Sequence, residues 1–277
     1  MTVGLWNAGE ISAATSGITT GHWSVDSVSI DSRSVAPGAL FIALKGPNFD
    51  GHDYVEAALG AGAGGAMIER RPDGLATDAP VVQVDDTMAG LIALGEASRD
   101  RTTAQIVAVT GSVGKTGTKE ALRAALSGQG LTAASESSFN NHLGVPLSLA
   151  RMDRNAAFGV FEIGMNHPGE IAPLSRMARP DVAIITTIAP AHIEFFDSIE
   201  GIADAKAEIF EGMSGGTAIL NRDNALFDRL SAAAHRAAVG RVMSFGSAAE
   251  SDARLISFAT DRQGSNVEAR ISGQRIG

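Results

Sequence analysis

Val107-Ala-Val-Thr-Gly-Ser-Val-Gly-Lys-Thr116 decides how this chain is read. An apolar run suited to a buried strand passes into a glycine-containing loop, then Lys-Thr, then a stretch of helical periodicity over residues 115–126. Glycines at 111 and 114 let successive backbone N–H groups turn inward on phosphate oxygens. A helix N-terminus behind them adds its positive dipole end. In such a loop Gly111, Ser112, Val113, Gly114, Lys115 and Thr116 cradle a nucleotide; Lys115 reaches the β- and γ-phosphates, and the Thr116 hydroxyl holds Mg²⁺. The usual pattern has four residues between its first glycine and Gly-Lys, whereas two separate Gly111 from Gly114, so the strand before and the helix after carry the assignment. The plain alternative is a glycine-rich turn with an ordinary surface lysine.

Working outward, residues 158–163, 182–188, 217–220 and 242–245 are further apolar runs, separated by helical patterns at 171–177, 199–210 and 224–234. Alternation of this kind predicts a parallel sheet with helices on both faces. From Ala253 to Gly277 apolar and polar residues alternate around a turn at Gln263-Gly264, which predicts antiparallel hairpin strands. Upstream, a break near residues 98–103 closes a Gly/Ala-rich region. Its short strands are expected at 40–44, 66–68 and 81–84, with turns at Pro37-Gly38 and Gly46-Pro47 and a helix at 91–98. The expected fold class is α/β: a small N-terminal α/β domain over residues 1–100, then a phosphate-loop-type parallel-sheet domain over 101–277 that ends in an antiparallel hairpin region.

Composition narrows the function. The 277 residues are 44% hydrophobic but only 5% aromatic, so the core must be built from Ala, Val, Ile and Leu. A net charge of −9 argues against a nucleic-acid partner and leaves any anionic ligand to local donors. There are no cysteines, which excludes disulfides and thiolate metal sites and fits a reducing, cytoplasmic setting. Residues 1–10 show no basic segment followed by an apolar run, and no stretch approaches the ~18 apolar residues of a membrane span.

Ligands of open parallel sheets bind beyond the carboxyl ends of the strands. Glu162 ends one apolar run and His192 lies just past another, so both are placed to approach the loop as magnesium ligands, the carboxylate the better suited. Otherwise Glu162 caps a helix and His192 is a loop histidine. Lys206 lies within the apolar-faced stretch Ile202-Ala-Asp-Ala-Lys-Ala-Glu-Ile-Phe210, where most lysines are solvated and inert.

Several segments appear in a specific order: the phosphate loop, Asn140-Asn-His-Leu-Gly-Val-Pro-Leu147, Glu162-Ile-Gly-Met-Asn-His-Pro-Gly-Glu-Ile171, Pro180-Asp-Val-Ala-Ile184, Ala189-Pro-Ala-His-Ile193 and Ala205-Lys-Ala-Glu-Ile-Phe210. Together they resemble the Mur ligase family, and its dipeptide-adding branch in particular. Upstream, Asp31-Ser-Arg-Ser-Val-Ala-Pro-Gly-Ala-Leu-Phe-Ile42 and Gly46-Pro-Asn-Phe-Asp-Gly-His52 resemble the UDP-substrate domain of that family.

The resemblance implies an ATP-dependent ligase of peptidoglycan synthesis. ATP phosphorylates the terminal carboxylate of UDP-MurNAc-tripeptide, and the amine of D-Ala-D-Ala attacks the acyl phosphate. It implies ATP loop roles for Gly111, Gly114, Lys115 and Thr116, and metal positions at Thr116, Glu162 and His192. A polar position near the nucleotide falls on Asn140 or Asn141. Lys206 matches a lysine carbamylated by CO₂ in the family, which turns a cation into an anion able to support Mg²⁺ and requires a neutral, desolvated amine. Lys115, His192 and Lys206 are thus the expected catalytic set. Asp31, Ser32, Arg33 and Asn166 are the expected substrate contacts; Arg33 pairs with a UDP pyrophosphate or other anion, or else forms a structural salt bridge. A monomer is expected.

Two departures stand out. Gly117 follows Thr116 where the family usually carries Ser or Thr. The sequence also ends at Gly277, before the family's Asn/His-containing segment near the adenine and its third, Rossmann-like domain, so little turnover is expected of these residues alone. The competing readings are another Mur-type or folylpolyglutamate-type ligase, a non-catalytic UDP-sugar or nucleotide-binding fragment, and a generic phosphate-loop NTPase, for which no guanine-reading NKxD sequence is present.

Overall fold

The structure is a computed structural model describing residues 4–136, 139–191, 193–262 and 264–277. The chain divides into two compact units, one comprising residues up to Thr103 together with Pro146–Asn155, the other Ala104–Val145 and Ala156–Gly277. Both are α/β, and among the described residues no helix is long and apolar enough to cross a membrane.

The first unit is built on a five-stranded sheet with strands β1 (Ile18–Thr19), β2 (Ser27–Ser29), β3 (Ala39–Ile42), β4 (Gly65–Ile68) and β5 (Val81–Gln83), in the order β1-β5-β4-β3-β2. All pairings are parallel except that of β1 with β5. Phe41, Ile68 and Val81 pack with Val55 and Ala58 of helix α2 (Val55–Gly60) in a core built largely of alanine and branched residues. Helix α1 (Ala8–Thr15) opens with a capping box between Asn7 and Glu10, and α3 (Thr87–Asp100) is capped by the Asp86 carboxylate. This unit differs from the first domain expected over residues 1–100 in two respects: it runs on to Thr103, and Pro146–Asn155 joins it. The reason for the second is polar pairing. The Trp6 indole N–H donates to the Ala150 carbonyl at 2.8 Å, Arg151 Nε donates to the Val28 carbonyl at 2.6 Å, and Arg154 pairs with Glu10 at 2.9 Å.

The second unit carries a nine-stranded sheet. Its strands are β6 (Gln105–Thr110), β7 (Thr132–Ala134), β8 (Phe158–Glu162), β9 (Val182–Ile185), β10 (Thr217–Asn221), β11 (Arg241–Gly246), β12 (Ala253–Thr260), β13 (Ser265–Ile271) and β14 (Gln274–Ile276). They lie in the order β7-β8-β6-β9-β10-β11-β12-β13-β14. Pairing is parallel from β7 through β12 and antiparallel in the last two pairs, so the sheet ends in the expected hairpin region. The turn residue Gln263 lies outside the described residues. Helix α4 (Lys115–Ser127) lays Leu122 and Leu126, one turn apart, on Val107, Val109, Val160 and Ile184.

Several boundaries differ from the sequence expectation. The strand read as 182–188 leaves the sheet after Ile185, because Thr186 turns toward the loop after β6. The helix read as 199–210 is α7 (Ile199–Ala207) followed by a 3₁₀ turn at Glu208–Gly212, and the helix read from 224 begins at Phe227. Strand β7 escaped notice because its three residues, Thr-Ala-Ala, carry little apolar signal.

Candidate active site

The sheet order places the chemistry. Strand β6 lies between β8 and β9, and the chain has to cross over it to pass from one to the other, so the carboxyl ends of these three strands converge at a topological switch point. Val109 of β6 is in register with Glu162 of β8, and Thr110 with Ile185 of β9. The loop after β6 therefore emerges between Glu162 on one side and Thr186 on the other.

That loop is curled as an anion cradle requires. Gly111 and Gly114 have φ of +147° and +88°, and Gly114 is the left-handed residue from which α4 starts. The curl is held from β9: the Thr186 hydroxyl donates to the Val113 carbonyl at 2.6 Å, and Ser112 N–H donates to the Thr187 carbonyl at 2.9 Å. The Ser112 hydroxyl is tied to Ala189, donating to its carbonyl at 2.9 Å and accepting from its N–H at 3.0 Å. Lys115 Nζ folds back onto the Gly111 carbonyl at 2.8 Å. Burial lowers the pKa of that ammonium, and the Glu162 charge works in the opposite direction.

Glu162, the last residue of β8, is buried at 3% exposure. Its carboxylate accepts from the Thr116 hydroxyl at 2.7 Å and from the Asn140 amide at 2.8 Å, while its backbone N–H donates to the Ser135 hydroxyl at 3.1 Å. No Lys, Arg or His among the described residues lies within salt-bridge reach of it. A buried carboxylate whose described hydrogen-bond donors are neutral suits a hard cation. Among the described residues no group of three His, Asp or Glu side chains gathers to hold a metal. Mg²⁺ is a hard cation of that kind, binding through one or two carboxylates plus phosphate oxygens.

Lys206 lies on α7, 2% exposed, and no described group accepts a hydrogen bond from it. Burial first, and then the nearby charge of Lys115, draw its pKa down to about 8. The structure thus brings Lys115, Thr116, Asn140, Glu162 and Lys206 into one region. His192 lies outside the described residues.

Other expected residues stand differently. The Asn141 side-chain oxygen accepts from Leu143 N–H and Gly144 N–H at 3.1 and 3.0 Å, which caps the helix α5 (Gly144–Ala150), whereas Asn140 faces Glu162. Asn166 is exposed in a loop and gives its backbone N–H to Glu170 at 2.7 Å. In the first unit, Asp31 caps the short turn Ser32–Ser34 just past β2, and Arg33, its side chain 87% exposed, grips Asp31 through Nε and a terminal nitrogen at 2.9 and 2.7 Å. The Arg33 contact holds the Asp31 carboxyl down at about 2.

Sequence reasoning missed Ser135, Thr186 and Glu208. Glu208 sits in the quoted Ala205–Phe210 stretch and accepts the backbone N–H groups of Gly169, Ile171 and Ala172 at 2.6, 3.1 and 3.1 Å, fixing the loop that carries Asn166 to the start of helix α6 (Ile171–Ala178). No local signal announces it, because the N–H groups it accepts lie 36 to 39 residues away in sequence.

Two family models match the chain. The Mur ligase middle domain matches residues 109–276, and the Mur ligase family, catalytic domain, matches residues 24–99. The UDP-N-acetylmuramoyl-tripeptide–D-alanyl-D-alanine ligase of Rickettsia prowazekii (strain Madrid E) is 36% identical over 257 residues, which cover 92% of this chain and 57% of that protein. The crystal structure of MurF from Acinetobacter baumannii superposes with a TM-score of 0.82 at 30% identity, covering 98% of this chain and 59% of that one. MurF ligase from Thermotoga maritima, solved in complex with ADP, gives a TM-score of 0.74 at 28% identity over 90% of this chain and 57% of that one. The chain spans less than two thirds of the length of each.

Proposed function

The chain belongs to the Mur ligase family, and we propose that the whole protein is an ATP-dependent ligase that joins D-Ala-D-Ala to UDP-MurNAc-tripeptide in the cytoplasm, acting as a monomer. The observation that carries this reading is the Thr116–Glu162 hydrogen bond at the mouth of a loop curled by two positive-φ glycines, which sets a magnesium-type carboxylate beside a phosphate cradle.

In this reading residues 111–116 bind the phosphates of ATP through backbone N–H groups, and Lys115 leaves the Gly111 carbonyl to meet the transferred phosphoryl group. Thr116 and Glu162, with His192, hold Mg²⁺, whose charge offsets that of the phosphates when bound. Asn140 orients Glu162. Lys206, desolvated and without a hydrogen-bond acceptor among the described residues, takes up CO₂ as a carbamate: the neutral amine forms an N–C bond and loses a proton, and the anion so formed would offset the nearby Lys115 charge and could support Mg²⁺. The substrate carboxylate attacks the γ-phosphorus and ADP departs. The dipeptide amine then attacks the acyl carbon, releasing phosphate and a proton. Asp31, Ser32 and Arg33 engage the UDP part of the substrate, with Arg33 exchanging Asp31 for pyrophosphate oxygens, and Asn166 contacts the peptide end.

Phosphate release by the full-length protein tests this. With ATP, Mg²⁺ and UDP-MurNAc-tripeptide present, release is expected to depend on added D-Ala-D-Ala and to match amide formed one for one. Release independent of the dipeptide, or greater with another amino acid, would overturn the assignment.

A further inference from the structure

Lys119 is an oddity that the reaction does not use. It lies on α4 just past the phosphate loop, it is 0% exposed, and a lysine buried to that degree is rare unless its charge has a fixed partner. Its ammonium donates to the Ser135 carbonyl at 2.7 Å and pairs with Glu120 at 3.0 Å. Glu120 is half exposed and balances the charge; the Ser135 carbonyl gives the bond its direction.

Ser135 stands immediately beyond β7, where its own N–H donates to Val160 of β8 at 3.1 Å and its hydroxyl accepts the N–H of Glu162. Thr116 and Lys119 are three residues apart on α4 and so share one helix face. The contacts therefore close a ring. From α4, Thr116 reaches the Glu162 carboxylate; the Glu162 N–H reaches the Ser135 hydroxyl; the Ser135 carbonyl reaches Lys119, which returns to α4. Every link is buried or half-buried, where hydrogen bonds support one another and leaving one unmade is costly.

We propose that Lys119 is a positioning residue: through Ser135 it fixes backbone and side chain of Glu162 so that the carboxylate stays aimed between Thr116 and Asn140. This rests on the reading of Glu162 as a magnesium ligand. Such supporting groups commonly govern metal affinity by 10–100-fold.

The test is ADP binding by calorimetry across a Mg²⁺ series, on the full chain. Lys119→Met keeps the aliphatic stem and removes the donor; it is expected to raise the half-saturating Mg²⁺ concentration about 10-fold while ADP affinity without Mg²⁺ stays within about 2-fold. A folded Lys119→Met with unchanged half-saturation overturns the proposal. Should that variant not fold, Ser135→Ala decides in its place, with the same shift expected and Ser135→Thr restoring the wild-type value; no shift in Ser135→Ala overturns it. A wild-type protein that binds ADP without any dependence on Mg²⁺ removes the ligand reading of Glu162 instead. In that event amide exchange in the ligand-free protein still decides the ring: in Ser135→Ala the Glu162 amide should exchange about 10-fold faster with Val160 unchanged, and equal rates would sink it.

Discussion

The Thr186 hydroxyl occupies the space a side chain on Gly111 would need: a Cβ there would stand 1.9 Å from Thr186 Oγ1. The same hydroxyl donates to the Val113 carbonyl. One atom of β9's exit thus excludes every other residue from position 111 and pins the far side of the curl.

Gly111→Ala is accordingly expected to push the loop off Thr186. Strain of about 2 kcal/mol at a positive-φ, crowded position amounts to roughly 30-fold in ADP affinity, measured by calorimetry. Thr186→Ala should weaken binding by less, and Thr186→Ser, which keeps the hydroxyl, should bind as the wild type does.

The two adjacent asparagines separate stability from binding. Asn141→Ala removes a helix cap and is expected to cost about 1 kcal/mol in urea unfolding with ADP affinity unchanged. Asn140→Ala should do the reverse: little loss of stability, but a several-fold higher Mg²⁺ requirement, because Glu162 loses one of its two side-chain donors.

Lys206 makes stability rise with pH. Its folded pKa of about 8 lies below the ordinary 10.5, so between these values the unfolded chain binds more protons and folding gains as pH increases. The gain is complete above 10.5 and is lost as pH falls through 8. Between pH 7.5 and 9.5 the wild type should gain about 2 kcal/mol relative to Lys206→Met, as measured by urea unfolding of both proteins at each pH. Labelled bicarbonate should give a carbamate signal in the wild type near pH 8 that is missing in Lys206→Met.

Arg33 and Asp31 form an exposed pair, screened by solvent and of little consequence for folding. Arg33→Ala should leave the melting temperature where it is and weaken binding of UDP-MurNAc-tripeptide about 10-fold, as expected from the loss of one charge-assisted hydrogen bond to a phosphate. An unchanged affinity would assign Arg33 to the turn alone.

What the sequence disclosed followed signal strength. The run ending at Thr110, the glycines and Lys-Thr show themselves locally, and Glu162 stands at the end of an apolar run, where parallel sheets place their ligands. Ser135 and Thr186 gain meaning only from partners far off in sequence, Glu162 at 27 residues and Val113 at 73, so no local pattern announces them. Lys119 looks like any helix lysine until α4 docks on the sheet. Strands of two or three residues, as in β1, β2 and β7, are too short for alternation to repeat and register as a pattern.

The return of Pro146–Asn155 to the first unit bears on how the protein can be dissected. A recombinant piece ending at Thr103 would strip the Trp6 indole of the Ala150 carbonyl and Glu10 of Arg154. Limited proteolysis between Val145 and Asn155 would sever the same supports. The N-terminal portion is therefore stitched rather than strung, and anyone wishing to study it in isolation must graft the ten-residue segment back on with a linker rather than simply insert a stop codon.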